Sequence, residues 1–117
     1  MAPSLTRLYN SYNRRYFANR LPQNMTLVGF WGKQLPINKV GVYLGVGSKI
    51  SLKIGRKVVE RLQGPIIMVR VGGRYDFDIR LTLLHEMAHA SSSHKHGTQF
   101  QKEMLRLAKA GAFKGLW

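Results

Sequence analysis

The chain has 117 residues, which is enough for one domain with a single hydrophobic core. It contains no cysteine, which excludes disulfides, thiolate-bound zinc, iron–sulfur clusters and a cysteine nucleophile. Nineteen Lys and Arg residues against five Asp and Glu residues give a formal net charge of +14. This excess favours a nucleic-acid partner, because Lys and Arg displace counterions from phosphates. A charged surface that serves only solubility is the alternative.

The N-terminal segment has no uninterrupted apolar stretch of signal-peptide length. No window of the sequence approaches the run of about 18 apolar residues that spans a membrane. We therefore expect a soluble, cytoplasmic monomer that contacts no membrane. Association with the nucleoid would be compatible with this expectation.

The first half of the chain predicts one helix followed by strands. Apolar and aromatic residues recur at helical spacing from Leu5 to Tyr16, after the start signal Ser4 and before the stop Leu21-Pro22. Four later segments have the composition or the alternation of strands: 26–31, 40–46, 49–54 and 66–71. Glycines at 41 and 45 interrupt the second of these and indicate a bulge or a close backbone approach. Residues 56–62 are expected to form a helical turn.

Two helices are predicted in the remainder of the chain. The first would be capped by Asp76 or Asp78 and would run to about Ser91. The second would begin at Thr98 and end before a glycine at 111. Thr98 and a glutamine at 101 have the spacing of a capping box.

The order of elements is one helix, several strands and two helices. It predicts a single α+β domain over residues 1–117, in which helices cover one side of a small twisted sheet of three to four strands.

All four histidines lie between positions 85 and 96, and the first two belong to an HExxH motif formed by His85, Glu86 and His89. Residues four apart on a helix differ by roughly 40° in azimuth and about 6 Å in height, so the two imidazoles can share one ion. Glu86 is offset by about 100° and would flank the ion. This arrangement is typical of catalytic zinc, with a metal-activated water as nucleophile and Glu86 as general base.

The third zinc ligand is less constrained by the pattern. The metzincin motif HExxHxxGxxH requires Gly and His where this chain has Ser92 and Lys95, so register excludes that class. Glu103 is the only acidic residue after the motif, and we expect its side chain to face solvent. His94 and His96 remain as alternatives.

The segments HEMAHA and HGTQF together resemble the SprT-like metallopeptidases, which include the Spartan proteases that act on DNA–protein crosslinks. The family signature continues from HExxH to a His-Gly-x-x-Phe segment, which His96, Gly97 and Phe100 match. The N-terminal YNRRYFANRLP is similar to the opening helix of the family. The resemblance covers about residues 5–110.

This resemblance implies a zincin-like fold of the minigluzincin type, with His96 as the third zinc ligand and Phe100 packed behind it. Many relatives carry a zinc ribbon built from cysteines, which this chain lacks. Any contact with DNA would therefore come from the basic surface of the peptidase domain itself.

The expected function is that of a zinc-dependent endopeptidase acting on DNA-associated or DNA-crosslinked proteins. A non-catalytic nucleic-acid-binding module, in which zinc only joins the two helices, is the alternative. Hydrolysis of a non-peptide bond is a third option that the motif allows.

Basic residues on the polar face of the third predicted strand and beyond it are the expected contacts with DNA. A basic surface of this kind contacts phosphates without reading sequence. The expected residues are Lys49, Lys53, Arg56, Lys57 and Arg61, extended by Arg14, Arg15 and Arg20 near the end of the first helix.

Overall fold

A computed structural model of the chain describes residues 4–30, 40–54, 56–92 and 97–116. Within these ranges the polypeptide forms three helices and five strands, and the predicted α+β class is confirmed. In chain order the elements are α1 (Leu5–Tyr16), β1 (Thr26–Phe30), β2 (Gly41–Leu44), β3 (Lys49–Ile54), β4 (Lys57–Gln63), β5 (Ile66–Arg70), α2 (Asp76–Ser91) and α3 (Thr98–Lys109). No helix of the described ranges combines the length and the apolarity needed to cross a membrane.

The main sheet has three strands in the order β1-β5-β2. Strand β5 lies in the centre, parallel to β1 and antiparallel to β2. Residues Ile66 to Val69 of β5 are completely buried. Their unbroken apolar run is what a strand needs when both faces of its sheet are covered.

Strands β3 and β4 form a separate antiparallel hairpin, with an irregularity in the register between Leu52 and Lys53. The prediction of a helical turn over residues 56–62 is therefore wrong, because these residues belong mainly to β4. The backbone N–H and C=O groups of β3 find their hydrogen-bond partners in this segment. Cross-strand pairing of this kind overrides weak local propensity.

The sheet is the middle layer of the molecule, with the helices on one side and the hairpin on the other. Ile67 and Val69 face the helical side, where they join a core that includes Tyr9, Leu83 and Leu107. Ile66 and Met68 of the same strand face the hairpin, where they form a smaller cluster with Phe30 of β1. The residues packed against this cluster are Val28, Val42, Leu44, Ile50 and Leu62. Helices cover one side of the sheet, as predicted, and the hairpin covers the second side.

The helix termini agree with the sequence signals in part. The Ser4 hydroxyl accepts a hydrogen bond from the Arg7 N–H at 3.4 Å and caps α1, as predicted. Gly111, with φ of +88°, follows the end of α3 in the left-handed conformation that glycine adopts most readily. The N-cap of α3 is Gly97, which has no side chain to make a capping bond. The predicted capping box at Thr98 is therefore wrong, because Thr98 is the first helical residue and not the N-cap.

Helix α2 is capped by neither of the predicted aspartates. Its N-cap is Tyr75, whose side chain makes no capping bond. Asp76 and Asp78 instead lie in the first turn of the helix. Their charges still favour the helix there, because the N-terminal end of the macrodipole is positive.

Glu103 and Arg106 of α3 together connect this helix to the ends of α1 and α2. The Glu103 carboxylate accepts hydrogen bonds from the Ser91 hydroxyl at the end of α2 and from the Arg106 guanidinium. Arg106 also donates to the Tyr16 carbonyl of α1 at 2.7 Å and lies over the Phe17 ring. Burial by itself would raise the pKa of Glu103, but the bonds from Arg106 and Ser91 and the nearby cations hold that pKa below its ordinary value of 4.5.

Replacing Glu103 by Gln should lower the free energy of unfolding at neutral pH by about 1–3 kcal/mol, the usual loss for a partly buried bond to a charged group. Because the pKa is depressed in the folded state, the stabilisation is complete above the unfolded-state pKa and is lost as pH falls through the folded-state pKa. Urea unfolding of both proteins at pH 7 and at successively lower pH would measure this.

Lys102→Gln on the exposed face of the same helix is the matched control, and it should change stability by less than about 0.5 kcal/mol. If the difference in unfolding free energy between the wild type and Glu103→Gln stayed constant down to strongly acidic pH, the assigned charge interaction would be contradicted.

Candidate metal centre

Helix α2 holds the three residues of the HExxH motif in one place. His85 is half-buried, and His89 and Glu86 are each 7% exposed. The ring centroids of His85 and His89 are 4.9 Å apart, in an edge-on arrangement. Two imidazoles that bind one tetrahedral zinc at about 2.0–2.1 Å have ring centres roughly 5 Å apart, so this pair fits a shared zinc ion.

Phe100 of α3 lies against both imidazoles. Its ring is stacked on His89 with centroids 4.1 Å apart and meets His85 edge-on at 5.0 Å. Phe100 is buried, and it lies in the first turn of its helix. Helix α3 therefore limits the rotation of both histidine rings and covers them with an apolar surface.

The Glu86 side chain lies between its own helix and the beginning of strand β2. A Cβ atom placed on Gly41 of that strand would be 3.0 Å from Glu86 Oε2 and 2.6 Å from Thr82 Cγ2. The carboxylate is thus close to the backbone of β2, and Glu86 belongs to the same helix as the two histidines. This placement suits a general base that serves a ligand lying along β2.

The segment that contains His94 and His96 lies outside the described residues. Its neighbours are described, and they are Ser92 at the end of α2 and Gly97 before α3. Within the ranges 4–30, 40–54, 56–92 and 97–116, no group of three His, Cys, Asp or Glu side chains could hold a metal. A third histidine from residues 93–96 would complete the pair, and the choice of His96 stays a prediction.

Glu103 does not face solvent as expected, since its side chain is only 11% exposed. The reason is the ion pair with Arg106 and the bond from Ser91, which hold the carboxylate between helices α2 and α3. Its oxygen atoms are engaged there, which argues against Glu103 as a zinc ligand.

The outer face of the hairpin brings two predicted DNA contacts together. Ile50 and Leu62 pack towards the sheet, so their strand neighbours Lys49 and Arg61 face away from it and are exposed. A groove of about 290 Å³ runs along these residues, and it is lined by Lys49, Ile50, Ser51, Arg61, Leu62 and Gln63.

Two further basic residues of the predicted set lie near the turn of the hairpin. Arg56 is exposed immediately before β4, and Lys57 is exposed at its first position. The backbone of Lys53 belongs to β3, and its side chain lies outside the described part.

The arginines of α1 are separated from this hairpin surface. Arg14 and Arg15 are exposed in the last turn of α1, and the Arg15 guanidinium lies over the Tyr16 ring at 5.2 Å. Helix α1 packs on the helical side of the sheet, whereas the hairpin packs on the other side. The predicted residues thus form two basic surfaces.

Three residues beside the motif were not singled out from the sequence as site residues: Gly41, Arg74 and Thr82. A signal existed for the first of them, because glycines that interrupt a strand pattern indicate a close approach. The approaching element is helix α2. Thr82 and Arg74 are ordinary residue types for their positions, and no spacing rule distinguishes them.

No protein-family model matches this sequence, and neither does any curated protein or solved structure. The resemblance to SprT-like peptidases therefore stays a prediction based on the HExxH and His-Gly-x-x-Phe segments. The geometry around His85, Glu86 and His89 stands independently of that resemblance.

Replacing His96 by Ala should weaken zinc binding by more than the ten- to hundredfold that typically follows the loss of an outer hydrogen-bond partner. His94→Ala is the matched control, since it removes the same side chain two residues earlier and should leave zinc affinity nearly unchanged. Competition of each purified variant against a fluorescent zinc chelator would measure both affinities. A larger loss in the His94 variant would reverse the assignment.

Proposed function

We propose that the protein is a zinc-dependent endopeptidase with a zincin-like fold of the minigluzincin type. The observation that supports this best is the pairing of His85 with His89 on the same helix as Glu86, whose carboxylate lies against strand β2. A metal that only joined two helices would need no carboxylate in that position.

His85, His89 and His96 would hold the zinc ion. When bound, zinc polarises a carbonyl group and lowers the pKa of a coordinated water towards about 7. Glu86 accepts the proton of the attacking water at its carboxylate and returns it to the leaving amine. Phe100 keeps both imidazoles in place and excludes water from one side of the site.

Strand β2 supports a peptide as the substrate. The Arg70 N–H donates to the Val40 carbonyl at 2.8 Å, and the pairing of β2 with β5 is antiparallel. Hydrogen bonding alternates along such a pair, so the N–H and C=O of the next residue, Gly41, point away from β5. Among the described strands, β2 has a neighbour on one side only. An extended segment of another protein can add to this edge within reach of Glu86.

DNA-associated or DNA-crosslinked proteins are the proposed substrates, and the charge of the molecule is the reason. The chain carries a net charge of +14, and the outer face of the hairpin presents the exposed side chains of Lys49 and Arg61. Cations spaced along such a face bind phosphates irrespective of sequence. Binding to DNA would bring the peptidase to proteins held there.

The alternative is a nucleic-acid-binding module with a structural zinc. The same basic surfaces would serve it, and the metal would join α2 to α3. The alternative does not explain why Glu86 is buried between the histidine helix and β2.

Replacing Glu86 by Gln should lower the rate of proteolysis by a factor of about 10² to 10⁴, the usual contribution of a general base. Zinc content should stay at the wild-type level, because the amide keeps the volume of the side chain and the histidines are unchanged. Hydrolysis of a labelled denatured protein and metal analysis of the same samples would test both statements.

His89→Ala is the companion variant and should lose zinc together with activity. Unchanged proteolysis in Glu86→Gln would reject the mechanism. Zinc-loaded wild-type protein that cleaves no denatured or DNA-bound protein would favour the structural-zinc alternative. Glu86-dependent cleavage of a non-peptide bond would indicate that the protein is a hydrolase of that bond and not a peptidase.

Reversing charge on the hairpin should weaken binding to DNA and flatten its salt dependence. The double variant Lys49→Glu and Arg61→Glu removes two phosphate contacts, so the slope of log K against log salt should fall by about 2 in magnitude. Arg14→Glu with Arg15→Glu changes the net charge equally on the helical side of the sheet. Fluorescence anisotropy with duplex DNA at several salt concentrations would compare the two, and equal effects would show that net charge alone governs binding.

A further inference from the structure

Strand β2 and helix α2 pack very closely at Gly41. A Cβ atom on this residue would lie 2.6 Å from the methyl carbon Cγ2 of Thr82, 3.0 Å from Oε2 of Glu86 and 3.3 Å from Cγ of Glu86. Two carbon atoms in favourable contact are about 3.5–4.0 Å apart. The strand therefore approaches the helix at a distance that no other residue type at position 41 permits without a shift.

Thr82 is held in place by Arg74. The Arg74 guanidinium donates to Thr82 Oγ1 at 2.7 Å and to the carbonyls of Arg70 and Asp78 at 3.1 and 2.9 Å. It thereby joins the end of β5 to the first turns of α2. Because Arg74 holds Oγ1, the stiff β-branched side chain keeps its methyl group directed at Gly41.

Glu86 follows Thr82 by one helical turn, so both side chains lie on the same face of α2. Each residue is 7% exposed. The carboxylate accordingly has its helix on one side and the backbone of β2 on the other. The position of the strand determines how far the carboxylate can extend from the helix.

We propose that Gly41 is a positioning residue for Glu86, because its bare Cα forms the surface against which the carboxylate lies. This inference rests on the proposed function in that it takes Glu86 to be the base. A base acts at full efficiency only within a few tenths of an ångström of the productive geometry. Any side chain at position 41 would displace the carboxylate from that geometry.

Gly41→Ala alone would mix two effects, since the new methyl group meets both Thr82 and Glu86. Thr82→Ser separates them. It removes the Cγ2 methyl group and retains the hydroxyl that Arg74 binds. The double variant Gly41→Ala and Thr82→Ser thus relieves the packing conflict and keeps the contact with Glu86.

The zinc-loaded proteins are compared on fluorescein-labelled casein. Thr82→Ser should keep the kcat of the wild type, because it retains the hydroxyl that Arg74 binds. Gly41→Ala should unfold at a lower urea concentration than the wild type does. The double variant should regain most of that stability, with kcat still lowered about tenfold or more and with KM and zinc content unchanged. A folded double variant with wild-type kcat would overturn the positioning role.

A second measurement needs neither zinc nor activity. In metal-free Thr82→Ser protein, adding Gly41→Ala should lower the urea midpoint when Glu86 is present. The shift should largely disappear when Glu86 is replaced by Ala, because the carboxylate that the new methyl group meets is gone. The effect of alanine on the unfolded chain is the same in both backgrounds and cancels in this cycle.

The two proposals fail in different ways. Equal midpoint shifts with and without the Glu86 carboxylate would overturn the contact and the inference with it. Wild-type protein that shows no Glu86-dependent cleavage would reject the proposed function, and the stability cycle would then decide on the contact alone.

Discussion

The burial of strand β5 on both faces is the interaction on which the rest of the structure depends. Ile66 to Val69 have no exposed surface, and full burial of such side chains stabilises the fold by about 1.5–3 kcal/mol each. Strands β1 and β2 pair only with this strand in the described sheet. Helix α2 packs on one of its faces and the hairpin on the other, so the HExxH motif is positioned by the sheet beneath it.

The site depends on contacts between elements that are distant in sequence. Phe100 from α3 orients the imidazoles of α2, and Glu103 with Arg106 ties α3 to the ends of the other two helices. Gly41 lets strand β2 approach helix α2 closely at Thr82 and Glu86. A rigid surrounding of this kind is what a catalytic constellation requires, because its groups must be held in place before the substrate arrives.

Local patterns in the sequence predicted the α+β class, the three helices and the adjacent positions of His85 and His89 on one helix, because these features depend on residues close in sequence. They failed for β4, where the partner strand decided the structure, and for Glu103, whose burial comes from Arg106 and Ser91. The partition of the basic residues into two surfaces could not be predicted either. It follows from which face of the sheet each element covers, and periodicity alone does not carry that information.

The central position of β5 also affects how the chain acquires its fold. Strands β1 and β2 precede β5 in the chain and do not pair with each other. During synthesis from the N-terminus both emerge from the ribosome before their common partner exists, whereas the β3–β4 hairpin can form at once from neighbouring residues. Sheet formation must therefore wait for β5, and non-local pairing of this kind slows folding. The high positive charge of the chain opposes association between molecules while these strands are still unpaired.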